Sequence, residues 1–382
     1  MLRRDALRLL LLNQDEIGQS VLGHRQTERM LRSGLQHRDD VAPTFLRMPP
    51  RPTLARMAGG RIPGLFERDL DLHVSRWHAV EAVRARHILN AELADRPYDV
   101  VHLHSHALAF GLGALERRIP VALSVDAPVR EWQHMEIWHR RHRHTDLAIR
   151  PAVAMERRAL RRAAVVFAWS DWARQAILRT APESNVVIHH PGIDARQWVP
   201  AERRPRERFR VLFVGGRFQE KGGNDLLKAL ADELDDTIEL DIVTPQPVTP
   251  RPGVRVHHIT GEDSELLDLY QQADVVCLPT HGDAYPWVVL EAMACGTPVV
   301  STALGGIPDL LQGTGVLVEP RDLRATREAV LALRDDPDRR QRLGRASRER
   351  IRADYDAGVQ GSLFVHHLRE AVEAFGGSPP PS

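Results

Sequence analysis

At 382 residues, with 43% apolar and 27% charged side chains, the chain is long enough for two globular domains and too apolar for wholesale disorder. Its 52 basic and 51 acidic residues leave a net charge of +1, which excludes bulk polyelectrolyte attraction to nucleic acid. Two cysteines, Cys277 and Cys295, cannot build a disulfide framework or a four-thiolate metal site, and the apolar run Leu9-Leu10-Leu11-Leu12 falls far short of the ~20 residues that span a bilayer. The run also lacks the length and the small-residue cleavage site of a signal peptide, so the expected compartment is cytoplasmic and reducing.

Short apolar runs alternate with helical periods, the pattern of βαβ units on a parallel sheet. In chain order the pattern predicts a strand over 7–12, a turn carrying Gly18, and a helix starting near Gly23. Residues 37–78 are rich in proline and show no readable period. A helix is predicted over 80–94, a strand over 98–103, a helix over 107–116 and a strand over 121–125. Helices over 153–162 and 172–178 flank a strand over 165–168, and a last short strand follows at 186–188. Composition then shifts at 200–208, a charged, proline-containing stretch that reads as a linker. The alternation restarts after it, with strands over 210–214, 238–243, 254–257, 275–278, 299–301 and 315–318. Helices are expected at 222–230, 264–271, 285–294, 323–334, 339–350 and 362–375, with a frayed tail from 378. Two doubly wound α/β halves bind ligands beyond the carboxyl ends of their strands, so chemistry-bearing residues are expected in those loops.

The first such group is Val214-Gly215-Gly216-Arg217-Phe218-Gln219-Glu220-Lys221-Gly222-Gly223, between a strand and a helix. Paired glycines let backbone approach a bulky anion, and a helix N-terminus adds oriented amides. Arg217 offers a planar fork to phosphate oxygens and Lys221 a compact charge. Only two of the 52 cations are lysine, Lys221 and Lys228, so a lysine retained at this turn is notable. A plain solvated turn is the competing reading, because strand-Gly-Gly-helix is common.

The second group runs Thr280-His281-Gly282-Asp283-Ala284-Tyr285-Pro286-Trp287-Val288-Val289-Leu290-Glu291-Ala292-Met293-Ala294-Cys295-Gly296-Thr297-Pro298. Pro286 suits a first helical turn and Gly296 a C-cap. Asp283 lies before the helix and Glu291 a turn inside it, so two acids can face one pocket from different depths. Paired sugar or ribose hydroxyls suit such acceptors. The apolar neighbours of Glu291 leave little solvent face, which predicts a partnered carboxylate rather than an exposed one.

Together these groups resemble glycosyltransferase family 4, the retaining enzymes of the GT-B fold. Gly305-Gly306-Ile307-Pro308-Asp309 and His190-Pro191-Gly192-Ile193-Asp194 also match, and the likeness is specific over about 186–320. Over the first half it is looser, resting on Asp99-Val100-Val101-His102-Leu103-His104-Ser105 and Ala168-Trp169-Ser170. The resemblance implies two Rossmann-like domains facing each other across a deep cleft: 1–197 for the acceptor, a linker at 198–208, 209–356 for a nucleotide-sugar donor, and 357–382 as a helix returning to the N-terminal domain. It implies a metal-independent hexosyltransferase without a cofactor, in which Arg217 and Lys221 hold the donor diphosphate and Glu291 the ribose hydroxyls. Asp283 and the amides around Ala284, Tyr285, Pro286 and Trp287 would grip the sugar, with Gly18 and Gly216 near the phosphates and backbone at His258–Gly261 near the base. The family commonly has Glu at position 283 and His at position 126. Here they are Asp283 and Asp126, which leaves the donor sugar open and makes Asp126 either a replacement contact or a sign of lost activity.

His102, His104 and His106 recur with period two; a strand edge and a zinc site both fit that spacing. Residues 130–162 hold nine arginines and four acids, with His139, His142 and His144 among them. Such a stretch fits a solvated helix face, or peripheral contact with an anionic lipid surface at the inner membrane face. The partners expected are a nucleoside diphosphate sugar and a saccharide, lipid-linked or small-molecule acceptor, with no nucleic acid. A catalytically weak sugar-nucleotide binding protein is the alternative. A nicotinamide oxidoreductase is disfavoured, because no strand leads into Gly-x-Gly-x-x-Gly with an acid ~20 residues on.

Overall fold

The near-continuous apolar run at 7–13 forms an inner strand buried on both faces, as a parallel sheet requires. The structure, a computed structural model, describes residues 5–14, 22–68, 70–135, 144–204, 206–259 and 264–377. The chain divides into two compact units, 1–192 with 357–382, and 193–356.

The first unit holds strands β1 (Leu7–Asn13), β2 (Val41–Arg47), β3 (Val100–Leu103), β4 (Val121–Val125), β5 (Val165–Ala168) and β6 (Val186–Ile188), in the spatial order β2-β1-β3-β4-β5-β6. Every pairing is parallel. The helices of this unit are α1 (Leu22–Leu35), α2 (Thr53–Gly59), α3 (His73–Asp95), α4 (Val129–His134), α5 (Thr145–Ala148), α6 (Arg150–Arg162) and α7 (Asp171–Thr180). The second unit holds β7 (Phe209–Val214), α8 (Gly223–Ala229), β8 (Ile238–Val243), β9 (Val254–His257), α9 (Ser264–Gln272), β10 (Val275–Leu278), α10 (Trp287–Ala294), β11 (Val299–Thr302), α11 (Ile307–Leu311), β12 (Val316–Val318), α12 (Leu323–Asp335) and α13 (Pro337–Arg350). Its sheet runs β12-β11-β10-β7-β8-β9, again all parallel. The terminal helix α14 (Ala357–Gly377) belongs to the first unit.

Two α/β units with parallel sheets are what the alternation predicts, with five strands in the first and six in the second; the first sheet has six, and several elements differ. The stretch expected to be irregular, 37–78, contains β2, α2 and the start of α3. β2 escapes recognition because it is an edge strand carrying Pro43, which cannot donate to a ladder. The helix expected at 107–116 is two 3₁₀ turns, His106–Ala109 and Gly113–Arg117, interrupted at Gly111. Pro286 caps α10 from outside with extended backbone rather than entering its first turn. The division falls after 192 instead of 197, and the expected linker 198–208 lies in the second unit. There the buried Arg348 donates to the carbonyls of Ala195 (2.6 Å) and Trp198 (2.7 Å), and the Arg204 amide donates to Gln272 (2.9 Å). α14 starts five residues before the expected 362, at Ala357.

α14 is fixed by Phe364, fully buried, whose ring lies 4.9 Å from both His102 of β3 and Phe167 of β5. Around it, His189 Nε2 lies 3.0 Å from the Gln360 carbonyl and Arg369 donates to the Asp40 carbonyl at 2.8 Å. Phe364→Ala therefore leaves a cavity at the sheet surface. We expect it to cost about 3–5 kcal/mol, read as a lower urea midpoint, with α14 the first segment to lose amide protection.

Candidate active site

In the second sheet the chain winds outward from β7 through β8 and β9 on one side and from β10 through β11 and β12 on the other. The crevice outside the carboxyl ends of β7 and β10 is the switch point of that winding, where open α/β sheets bind ligands. The two sequence groups singled out above are the turns that leave these strands.

Glycine lets the turns meet. Gly222 has φ +81°, and a β-carbon there would lie 1.9 Å from the Pro279 carbonyl oxygen. With that space empty, the His281 amide donates to the Glu220 carbonyl at 3.0 Å, and the Thr280 hydroxyl caps the Gly282 carbonyl at 3.1 Å. Gly305 repeats the device from the β11 side: its φ is +55° and a β-carbon would lie 2.2 Å from the Asp283 carbonyl. The Gly306 amide donates to the Ala284 carbonyl at 2.8 Å, so the 283–284 segment is clamped from both flanks.

The result is direct contact between the Lys221 ammonium and the Asp283 carboxylate. Lys221 also reaches the Gly282 carbonyl at 3.5 Å. Asp283 is nearly buried at 8% exposure, so the pair is shielded from water on its acidic side. Arg217 shares the turn, its carbonyl accepting from the Lys221 amide at 2.9 Å, while Gly216 is exposed. Glu291 is buried in α10, and Tyr270 of α9 donates its hydroxyl to Glu291 Oε2 at 2.6 Å. The partnered carboxylate expected at 291 is present. Its partner, Tyr270, holds its proton firmly, because burial and the neighbouring carboxylate both push its pKa up.

Other predicted residues fare differently. Ala284, Tyr285 and Pro286 are buried, and burial pushes the Tyr285 hydroxyl's pKa well up, so side-chain contact with a sugar is confined to Trp287, which is half-buried. Asp126 belongs to the other unit, beyond β4, where its Oδ1 accepts from the Ala127 amide (2.7 Å) and from Trp132 Nε1 (3.2 Å). Gly18 and Gly261 lie outside the described residues, as do His139 and His142. The three alternating histidines do not share a site. His102 contacts the Ser124 hydroxyl at 2.8 Å, His104 stacks on Trp169, and His106 meets Glu156 at 3.1 Å. Among the described residues, the one group able to hold a metal ion is His366, His367 and Glu370 on α14.

Sequence reasoning missed the partners that position these groups. Gln246, after β8, accepts the Phe218 amide at 2.8 Å, and Asp225 holds His281 Nε2 at 2.7 Å. In the first unit, fully buried Glu156 accepts the Val129 amide at 2.9 Å and fixes the start of α4, three residues beyond Asp126. Burial pushes its carboxyl up to about 8 and pulls His106 down to about 4, so near neutral pH their contact is a neutral hydrogen bond.

A family model described as Glycosyltransferase Family 4 matches residues 36–197, and one described as Glycosyl transferases group 1 matches residues 208–336. The D-inositol 3-phosphate glycosyltransferase of Kineococcus radiotolerans is 30% identical over 367 residues, covering 83% of this chain and 80% of that protein. The chain belongs to glycosyltransferase family 4. Glycogen synthase of Mycobacterium tuberculosis is 34% identical over 189 residues, a match spanning 45% of this chain and 45% of that relative's length. Among solved structures, sucrose-phosphate synthase from Thermosynechococcus elongatus aligns with a TM-score of 0.70 at 19% identity, over 96% of this chain and 100% of that one. Anabaena HepE in complex with UDP-glucose aligns at 0.66 and 15%, over 95% and 100%. At these identities the likeness establishes the shared GT-B fold alone. The group 1 match contains Arg217, Lys221, Asp283 and Glu291, whereas Asp126 falls in the family 4 match.

Two outcomes test this geometry. Gly222→Val places a branched side chain at positive φ against Pro279, and we expect a loss of at least about 2 kcal/mol in urea unfolding. Gly313→Ala, also at positive φ but with nothing within 4 Å, should cost about 1 kcal/mol. The second outcome concerns pH. Because the Glu156 carboxyl is raised from 4.5 to about 8 in the folded state, that state keeps a proton the unfolded chain releases, so this group's contribution to stability falls as pH rises through the window and levels off above it; the depressed His102, His106 and His189 act in the opposite sense only up to their ordinary 6.5, so the fall is exposed above that pH. Glu156→Gln keeps the acceptor for Val129 and should flatten that decline, read as urea midpoints from pH 6.5 to 9.

Proposed function

We propose that this chain is a retaining glycosyltransferase that moves a hexose-type sugar from a nucleoside diphosphate to an acceptor hydroxyl. The observation that carries the reading is the Lys221–Asp283 contact at the β7/β10 switch point, with Arg217 on the same turn. Breaking the sugar–phosphate bond puts the bonding electron pair on the diphosphate. In this reading the Lys221 ammonium and the Arg217 guanidinium oppose that growing charge, the task a bound metal performs elsewhere, so no metal is required. Asp283 holds the ammonium in place and shares its carboxylate with a sugar hydroxyl. Glu291, oriented by Tyr270, accepts from the ribose, and the Ala284–Trp287 backbone lines the sugar. Gly216, exposed on the same turn, completes the donor contacts. The acceptor attacks from the leaving-group face and its proton passes to the departing diphosphate.

The complex of HepE with UDP-glucose supports a nucleoside diphosphate sugar as donor class. A saccharide, lipid-linked or small-molecule acceptor fits the family. No helix among the described residues is long and apolar enough to cross a membrane. Residues 136–143 of the arginine-rich stretch 130–162 lie outside the described residues; of the rest, exposed Arg150, Arg157, Arg158, Arg161 and Arg162 are what this reading offers to an anionic acceptor or membrane face, though Arg157 and Arg161 meet Glu183 and Arg162 meets Glu116. One observation favours a second reading, a donor-binding protein of weak activity: Asp126, at the place of the family's His, is engaged by Trp132 and the Ala127 amide.

Thermal shift against UDP-, GDP- and ADP-sugars, followed by donor hydrolysis and transfer assays, separates the two. A donor at 100 times its dissociation constant adds about 2.7 kcal/mol. Lys221→Ala should lower kcat by roughly 10²–10³-fold, the loss seen when one transition-state donor is removed. Glu291→Gln should chiefly raise the donor KM. Full transfer rates in both variants would end the assignment, and tight donor binding with no turnover by the unaltered protein would select the second reading.

A further inference from the structure

Two histidines and a glutamate on α14 have no part in the proposed reaction. His366 stands four residues before Glu370 and His367 three, the spacings that bring helix side chains together. His366 Nε2 lies 3.4 Å from Glu370 Oε1, and His367 Nδ1 lies 2.9 Å from Glu370 Oε2. One donor atom from each of the three residues lies within 4.8 Å of the other two. Around a zinc ion with bonds of about 2.0–2.2 Å, neighbouring tetrahedral ligands stand about 3.4 Å apart, so small rotations bring the three onto one ion.

Convergence and access set this group apart from other histidine–carboxylate contacts in the chain. His257 touches two carboxylates, Asp241 at 2.9 Å and Glu265 at 3.2 Å, but through opposite ring nitrogens, so its acids diverge. His106 meets Glu156 where both are buried, out of reach of an entering ion. On α14 the His366 and Glu370 side chains are 63% and 58% exposed, which leaves an entry path and room for a water as fourth ligand.

The backbone that carries the ligands is already fixed. Phe364, two residues before His366, is buried against His102 of β3 and Phe167 of β5. Arg369, directly before Glu370, is tied to Asp40, and the half-buried His367 ring lies 6.4 Å from that of Phe167. An ion arriving here has little chain entropy left to remove. The donor chemistry selects the ion: two imidazoles and a carboxylate suit zinc and its transition-row neighbours, whereas magnesium and calcium demand oxygen. Both cysteines are buried and do not compete for it.

We propose that His366, His367 and Glu370 form a binding site for a divalent transition-metal ion, zinc above all, that braces the later turns of α14. The inference stands apart from the transfer reaction, since none of the three residues is assigned to the donor. The test is calorimetric titration of the full chain, first stripped of metal with a chelator, with Zn²⁺ and with Mg²⁺. One equivalent of Zn²⁺ should bind, and Mg²⁺ should not. Glu370→Gln and His366→Ala should each weaken Zn²⁺ binding by roughly tenfold or more. Without metal both should unfold at nearly the temperature of the unaltered chain, because exposed pairs contribute little. His134→Ala, which removes an exposed histidine–aspartate contact elsewhere in this unit, should bind Zn²⁺ unchanged. Co²⁺ should show the intense visible bands of a four-coordinate site, and Zn²⁺ should slow amide exchange over 366–374. Four results would each overturn the proposal: no saturable Zn²⁺ binding by the unaltered chain, undiminished affinity in either α14 variant, equal weakening in His134→Ala, or a Co²⁺ spectrum no different from that of the hydrated ion.

Discussion

The backbone contact between Gly222 and Pro279 is the constraint on which the candidate site depends. It lays the turn after β7 directly on the turn after β10, so residues 61 and 62 positions away in the chain come within reach of Lys221. Gly305 presses on Asp283 from the opposite flank. Asp283 is therefore aimed by three turns of backbone and hardly at all by its own short side chain. A carboxylate fixed in this way costs little rotamer entropy when it engages a ligand, which is the physical content of preorganisation. The same constraint explains why position 222 tolerates no side chain: space and φ both forbid one.

The choice of lysine at 221 fits that geometry. Fifty of the chain's 52 cations are arginine, so composition alone would place arginine here too. A guanidinium is planar and carries five donors, and against a single aspartate oxygen in a narrow gap most of them would find no acceptor. An ammonium is compact, and with three donors it meets Asp283 and the Gly282 carbonyl while presenting charge outward. Arg217 shares that turn, next to the exposed Gly216.

Much of this was legible in the sequence, and the missing parts share a cause. The strands of both sheets announce themselves as valine- and leucine-rich runs, and Lys221 and Asp283 stand out because glycine marks their turns. β2 was hidden because an edge strand needs neither full burial nor every amide, so Pro43 fits there without penalty. The 3₁₀ turns at 106–117 keep helical spacing while Gly111 and Gly113 interrupt it. Tyr270, Gln246, Asp225 and Glu156 left no local signal at all. Each acts on a partner between 21 and 56 positions away, so its role exists only once the sheets have assembled. Glu291 lies between these cases: its apolar neighbours revealed that it must be partnered, but not by what.

The contrast between the acids at 283 and 291 carries the argument one step further. Asp283 balances a cation, so in the resting site the Lys221 charge is largely neutralised before any diphosphate arrives. Glu291 is held by a neutral phenol, and its hydrogen bond adds no opposing charge. In the proposed reading a donor must therefore compete with Asp283 for Lys221, and it succeeds best when its own charge is greatest. That condition is met as the sugar–phosphate bond breaks and electron density moves onto the diphosphate. A cation tempered by a fixed aspartate binds the ground state less tightly than an isolated one would. It still answers fully to the charge that develops on bond breaking, so its attraction is spent where it lowers the barrier.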